Sequence, residues 1–304
     1  MKRLILTLSL FLLFSKAEGQ LTVTSNERLP LPSRTAWHTP RFSPDGKRIY
    51  VTNEGGNGIW EFNLGKKSFR QITAHLRSGS AYAISPDGKR IAYRRTVVLA
   101  KTRRRVQEVV VRDLTTGRYT MIERGNDLSA PFFAGDEVVV SRPNELTLAT
   151  PQATSARVHV IGIENTKIAL LKDGSKILFD PLGDGRYIWP ALSPDGTRIV
   201  AHAMERGTFV FDLDGRIVAS LGRRNAPSWT RDGKWIIYMQ DEDDGHRIIA
   251  SDLFAVSPDG STTIQLTHTA DELEMYPQCS PTENKIVYMT LSGKIHLLTY
   301  SETP

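Results

Sequence analysis

The sequence predicts an all-β, six-bladed β-propeller, and three observations carry that expectation. A short segment recurs along the chain: Phe42-Ser43-Pro44-Asp45-Gly46-Lys47-Arg48-Ile49 returns with small changes around Ile84, Leu192 and Trp229. Two worn copies sit at Phe133, where the turn is two residues shorter, and at Cys279, where Thr282-Glu283-Asn284 replaces Asp-Gly. The six apolar anchors Phe42, Ile84, Phe133, Leu192, Trp229 and Cys279 are 42, 49, 59, 37 and 50 residues apart. A four-stranded blade of roughly 40 to 50 residues cannot bury both faces alone, so blades stack around an axis until a ring closes.

Each copy describes a hairpin. Pro44-Asp45 suits the centre of a type I turn, Gly46 supplies the left-handed residue of a following bulge, and the apolar flanks continue as strands. In the first blade, alternation and β-branched content place further strands at 48–53, 58–64 and 69–73. The second continues at 91–96, 108–114 and 119–122. Its second and third strands flank the most basic run of the chain: Arg94, Arg95, Lys101, Arg103, Arg104 and Arg105. That run reads as a solvated hairpin tip or as a docking patch for anionic headgroups, glycan or an acidic protein.

The 59-residue interval holds one hairpin too many, with strands at 137–141, 145–149, 157–162, 166–171 and 176–180. It contains either an inserted hairpin or, marked by Lys172-Asp173-Gly174-Ser175, a degenerate extra blade that raises the count to seven. Six is preferred, because that turn lacks the proline and first-strand anchor found in most copies. The next blade is compact, with strands at 197–203, 208–213 and 216–221. In the blade after it, Asp241-Glu242-Asp243-Asp244-Gly245 reads as an acidic turn; calcium at Asp241, Asp243 and Asp244 is the weaker reading, since the spacing matches no calcium loop. Ser257-Pro258-Asp259-Gly260 copies the signature but follows a third strand. The last blade has strands at Cys279, 285–290 and 294–300 and then lacks a fourth. Residues 21–25 alternate like a strand and belong to no blade, so the N-terminal strand is expected to close the ring.

Ahead of that strand, residues 1–19 read as a signal peptide. Lys2 and Arg3 precede a mostly apolar run of eleven residues, Leu4 to Phe14, and Ala17-Glu18-Gly19 offers small residues for cleavage. Residues 20–304 are then a single propeller domain of about 47 residues per blade. The net charge of +6 falls to +4 once the leader is removed, with 36 basic and 32 acidic residues left, which does not indicate nucleic acid. No second apolar segment is long enough for stable membrane insertion, so a periplasmic or secreted monomer is expected. With one cysteine there is no internal disulfide, and Cys279, in an anchor slot, reads as a small core residue.

The segments built on Ser-Pro-Asp-Gly-Lys/Thr-Arg-Ile, together with Thr263-Ile264-Gln265-Leu266-Thr267 leading to Tyr276-Pro277, resemble the WD-like repeats of TolB-type periplasmic propellers. The resemblance covers essentially Gln20 to Pro304. It implies the fold but not one function, because similar blades occur in the TolB translocation protein, in prolyl-oligopeptidase-like peptidases and in some pectin-degrading lyases.

Residues just before each anchor are expected at the channel mouth, where connections between blades converge. Arg34, His38, Tyr82, Trp189, Arg224, Asn225, Tyr276 and Gln278 are the ligand-binding candidates there, a mixture of aromatics, amides and cations suited to a peptide or sugar. No Gly-x-Ser-x-Gly elbow exists to expose a serine nucleophile. The seven histidines include no His-x-His or His-x-x-x-His pair; the lyase resemblance would require His38, His75 and His268 to approach one face from separate blades. The expected function is therefore non-catalytic binding of an envelope protein, peptide or glycan at the mouth, with no cofactor. The alternative is an enzyme acting on polysaccharide, a metal-dependent lyase or a glycoside-cleaving protein.

Overall fold

The computed structural model describes residues 20–142, 145–148 and 158–303; the expected leader lies outside the described residues. Apart from two three-residue 3-10 turns, Glu54–Gly56 and Ser78–Ser80, all regular structure among the described residues is β. After β1 (Gln20–Arg28), the first sheet runs β2 (Trp37–Phe42), β3 (Arg48–Asn53), β4 (Ile59–Asn63) and β5 (Ser68–Thr73). The second runs β6 (Tyr82–Ile84), β7 (Arg90–Val98), β8 (Arg105–Asp113) and β9 (Tyr119–Gly125). Two three-stranded sheets follow, β10 (Phe132–Ala134), β11 (Glu137–Arg142) and β12 (Glu145–Leu148), then β13 (His159–Glu164), β14 (Lys167–Lys172) and β15 (Ser175–Phe179). The chain continues with β16 (Tyr187–Leu192), β17 (Arg198–Ala203), β18 (Gly207–Asp212) and β19 (Ile217–Gly222). Next come β20 (Asn225–Trp229), β21 (Ile236–Asp243), β22 (Ile248–Val256) and β23 (Thr263–Gln265). The last sheet is β24 (Glu274–Cys279), β25 (Lys285–Thr290) and β26 (Ile295–Thr303), and its fourth strand is β1.

The N-terminal strand thus closes the ring as expected, pairing antiparallel from Gln20 opposite Thr303 to Arg28 opposite His296. Six sheets carry the six anchors. The long interval holds β10–β12 and β13–β15 as two three-stranded sheets. Its Lys172–Ser175 turn joins β14 to β15.

The repeated signature works as a hydrogen-bonded clamp. In the copy at Ser193, the hydroxyl donates to Asp195 Oδ1 at 2.5 Å and accepts from the Arg198 amide at 2.9 Å, while Asp195 accepts from the Thr197 amide at 3.0 Å. The Ser193 hydroxyl and the Thr197 amide hold the Asp195 carboxyl below the usual carboxylate range. The same serine or threonine to aspartate bond recurs at Ser85, Thr230 and Ser257.

The core lies between sheets rather than at one centre. Tyr50, Ile59 and Ile72 of the first sheet pack on Tyr82, Ile91 and Tyr93 of the second. Ala134 and Val139 meet Ile161, Ala169 and Leu171 across the two three-stranded sheets. The largest cluster joins the sixth sheet, the last and the first, from Ile237 and Leu253 through Ile286 and Leu298 to Ile49 and Phe62. First strands touch one another around the ring, β6 with β10, β13 with β16, β16 with β20, β20 with β24 and β24 with β2, which places them innermost. Cys279 is half-buried against the largest cluster, its Sγ 3.6 Å from the Ser228 carbonyl, and burial pushes its thiol up to about 12.

Candidate functional site

Four first strands share a departure from regular pairing. The ladder skips two residues between His38 and Arg41, Ile188 and Ala191, Asn225 and Ser228, and Met275 and Gln278. In each case the skipped pair is an X-Pro dipeptide whose first residue has positive φ: Thr39 (46°), Trp189 (52°), Ala226 (48°) and Tyr276 (53°). Such backbone is costly for a β-branched or bulky residue, and a following proline disfavours helical φ/ψ further. Strain of this kind persists only where the surrounding fold imposes it, and it gathers at functional sites.

The four bulges converge. They line one axial cavity of about 480 Å³ together with His38, Arg41, Gln278 and Met289. Within it the Trp189 and Tyr276 rings meet edge to face, centroids 6.3 Å apart at 67°. Trp189 also forms one wall of a second cleft of about 560 Å³, between the fifth and sixth sheets, with Ile188, His202, Arg206, Arg223 and Asn225. The His202 ring lies 5.7 Å from that of Trp189, and burial, aided by Arg223, lowers its pKa. Trp189 is therefore the partition between two adjoining pockets.

Of the residues expected at the mouth, His38, Trp189, Tyr276 and Gln278 line the axial cavity and Asn225 lines the adjoining cleft. The other three lie elsewhere. Arg34 is exposed on the connection from β1 to β2 and lines neither cavity. Tyr82 is buried between the first two sheets with the Arg41 guanidinium 5.1 Å from its ring centroid. Arg224 covers the Tyr238 ring at 4.6 Å and donates to Gln240 Oε1 at 3.3 Å. Arg41, His202 and Met289 were not anticipated. Arg41 had a signal, since it follows the proline in the same slot as Gln278; His202 and Met289 arrive from second strands and had none.

Asp241 is buried and accepts from the Asn225 amide, and it shares Arg223 with Asp243, while Asp244 caps its own hairpin through the His246 and Arg247 amides. His75 bonds Thr73 and Tyr93, and His268 is exposed beside Asp252. Among the described residues no three His, Cys, Asp or Glu side chains are grouped to hold a metal ion, so His38, His75 and His268 do not converge. In the basic run, Arg95 pairs with buried Glu108 and Arg94 donates to the Leu128 carbonyl, whereas Lys101, Arg103, Arg104 and Arg105 are exposed at the hairpin end.

No protein-family model matches the chain. A 71-residue segment, 22% of the chain, is 34% identical to 16% of the Tol-Pal system protein TolB of Anaeromyxobacter sp. (strain K). The TolB structure from Acinetobacter baumannii superposes with a TM-score of 0.52 at 19% identity, over 78% of this chain and 55% of that one. The fold is a β-propeller like that of TolB. The chain spans about half the length of that TolB structure. The ring also superposes on oligogalacturonate lyase from Vibrio parahaemolyticus, with a TM-score of 0.51 at 14% identity over 93% of this chain and 98% of the lyase, a likeness of fold alone. No helix among the described residues is long and apolar enough to cross a membrane.

Proposed function

We propose that this chain is an exported, non-catalytic propeller that binds a peptide segment of an envelope protein at its axial cavity. One observation carries the reading: four strained X-Pro bulges from separate sheets bring Trp189 and Tyr276 together in a cavity that their prolines otherwise line with apolar surface. Rigid aromatic faces in a preformed concavity favour binding because little freedom is lost on docking. The likeness to TolB and the leader expected at residues 1–19 support export and a protein partner. Calcium is not part of the proposal.

The test is an array screen. Native protein and a Trp189→Ala/Tyr276→Ala variant are probed against peptide and oligosaccharide arrays, with melting temperatures checked first. Native protein should retain a defined set of peptides, and the variant should bind them at least about tenfold more weakly. Equal retention by both would remove the cavity as the site. Shortened or unsaturated products released from a polysaccharide by the native protein would overturn the non-catalytic reading.

A further inference from the structure

The axial cavity holds a cation with no anion to match it. Arg41 is its one permanently charged lining residue, and no Asp or Glu lines it. The guanidinium is fixed at two points, over the Tyr82 ring and by Nη1 donating to the Tyr82 carbonyl at 3.3 Å, and it forms no ion pair among the described residues. An arginine already held in place loses little side-chain freedom when an anion arrives, and its remaining N–H groups suit a planar carboxylate.

A second observation is independent of Arg41. His38 lines the same cavity, and its Nε2 is buried behind that lining without a hydrogen-bond partner. Buried polar atoms nearly always have one; Arg142 Nε, Arg224 Nε and His296 Nε2 share the exception, but of the four only His38 belongs to a residue lining the axial cavity. Gln278 and Tyr276 add an amide and a phenol. Pro40, Pro190, Pro227 and Pro277 have no N–H, so the donors here are mainly side chains.

We propose that the axial cavity recognises a carboxylate carried by a peptide, either an acidic side chain or the chain's C-terminus, with Arg41 as its charge partner and Trp189 and Tyr276 packing the neighbouring residues. The inference rests on the peptide-binding reading above. A saccharide fits less well: its hydroxyls need acceptors as well as donors, and the lining offers no carboxylate, one amide and many apolar atoms.

The probes are three peptides that differ only at one side chain or at the C-terminus, and a trisaccharide. They are acetyl-Gly-Leu-Asp-Leu-Gly-amide, the same peptide with Asn for Asp, the Asn peptide ending in a free acid, and trigalacturonate. Each is titrated into the purified protein while the tryptophan indole N–H signals are followed by NMR. At least one carboxylate-bearing peptide should bind about tenfold or more tightly than the Asn amide, and which one does so separates side chain from C-terminus. Arg41→Gln should bring the two to parity, Arg41→Lys should restore part of the preference, and Arg34→Ala should leave it unchanged. Parity in the native protein, a preference that survives Arg41→Gln, or no saturation by about 10 mM would overturn the proposal. Parity combined with loss of binding in Trp189→Ala would remove the charge selectivity and leave the cavity reading standing. Saturable binding of trigalacturonate alone would replace the peptide with an acidic saccharide.

Discussion

Glu274 shows how far one side chain can depart from its ordinary chemistry in this ring. It is buried, and its carboxylate is held by the Thr267 hydroxyl, the Thr269 hydroxyl at 3.2 Å and the Tyr288 phenol at 3.4 Å, with no cation among these donors. Burial therefore raises its pKa. A carboxyl whose folded-state pKa lies above its unfolded one stabilises fully below the ordinary carboxylate range, and that contribution is lost as pH rises through the folded-state value. Glu274→Gln cannot ionise. The native melting temperature should fall relative to that of Glu274→Gln as pH rises above the ordinary glutamate range, about 4; calorimetry showing a difference constant with pH would contradict the assignment. The same environmental logic explains what the sequence revealed of the site. Tyr82 and Tyr276 both precede an anchor by a similar interval. Tyr82 occupies the proline slot itself, so β6 has no bulge, pairs in register with β7 and turns the ring inward. Tyr276 precedes Pro277, the bulge turns it out, and it is 36% exposed. Proximity to an anchor was legible from the chain; the direction of the side chain depended on the bulge.

At the scale of an element, the turns differ in what they tolerate. Gly196 of a signature turn has φ +74° and nothing within 4 Å of an added Cβ, so Gly196→Ala bears only the left-handed backbone cost, about 1 kcal/mol after the gain from a stiffer unfolded chain. Gly293, between β25 and β26, has φ +76°, and an added Cβ would lie 2.5 Å from both Cα and Cβ of Ala36. Its carbonyl also accepts from the Trp37 amide at 2.9 Å, so the clash falls on the passage from the closing strand into the first sheet. Gly293→Ala should cost about 3 kcal/mol or more in urea unfolding, well above Gly196→Ala, and equal costs would show that the passage yields freely. Turn chemistry also explains which sheets could be read. Strand β3 was legible to the residue because a clamp precedes it and alternation follows. The fourth sheet was obscured because its links, Asn165-Thr166 and Asp173-Gly174, are tight turns with both central residues left-handed, and they need neither the proline nor the serine of the repeated signature.

Across the whole molecule, stability rests on contacts between sheets, and their distribution is uneven. Among the described residues, the cluster between the two three-stranded sheets contains five buried side chains. The cluster spanning the sixth, last and first sheets is the largest and includes Leu21, Leu29 and Leu31 from the N-terminal segment. Strand β1 therefore supplies apolar surface to the best-packed part of the ring as well as a fourth ladder, and the Asn26 amide donates to the Tyr288 phenol at 2.8 Å. Because β1 and β26 lie at opposite ends of the described chain, their pairing ties the first and last sheets together, much as a covalent staple would. Leu21→Asp keeps the strand and its backbone partners but places a carboxylate where the native side chain is 3% exposed. The substitution should lower the melting temperature by about 10 °C, since a loss near 4 kcal/mol shifts a domain of this size by that order. Amides of β24–β26 should then lose more hydrogen-exchange protection than those of β16–β19, which lie away from the closure. An unchanged melting temperature, or protection lost uniformly around the ring, would mean that the strand completes the sheet without holding the propeller shut.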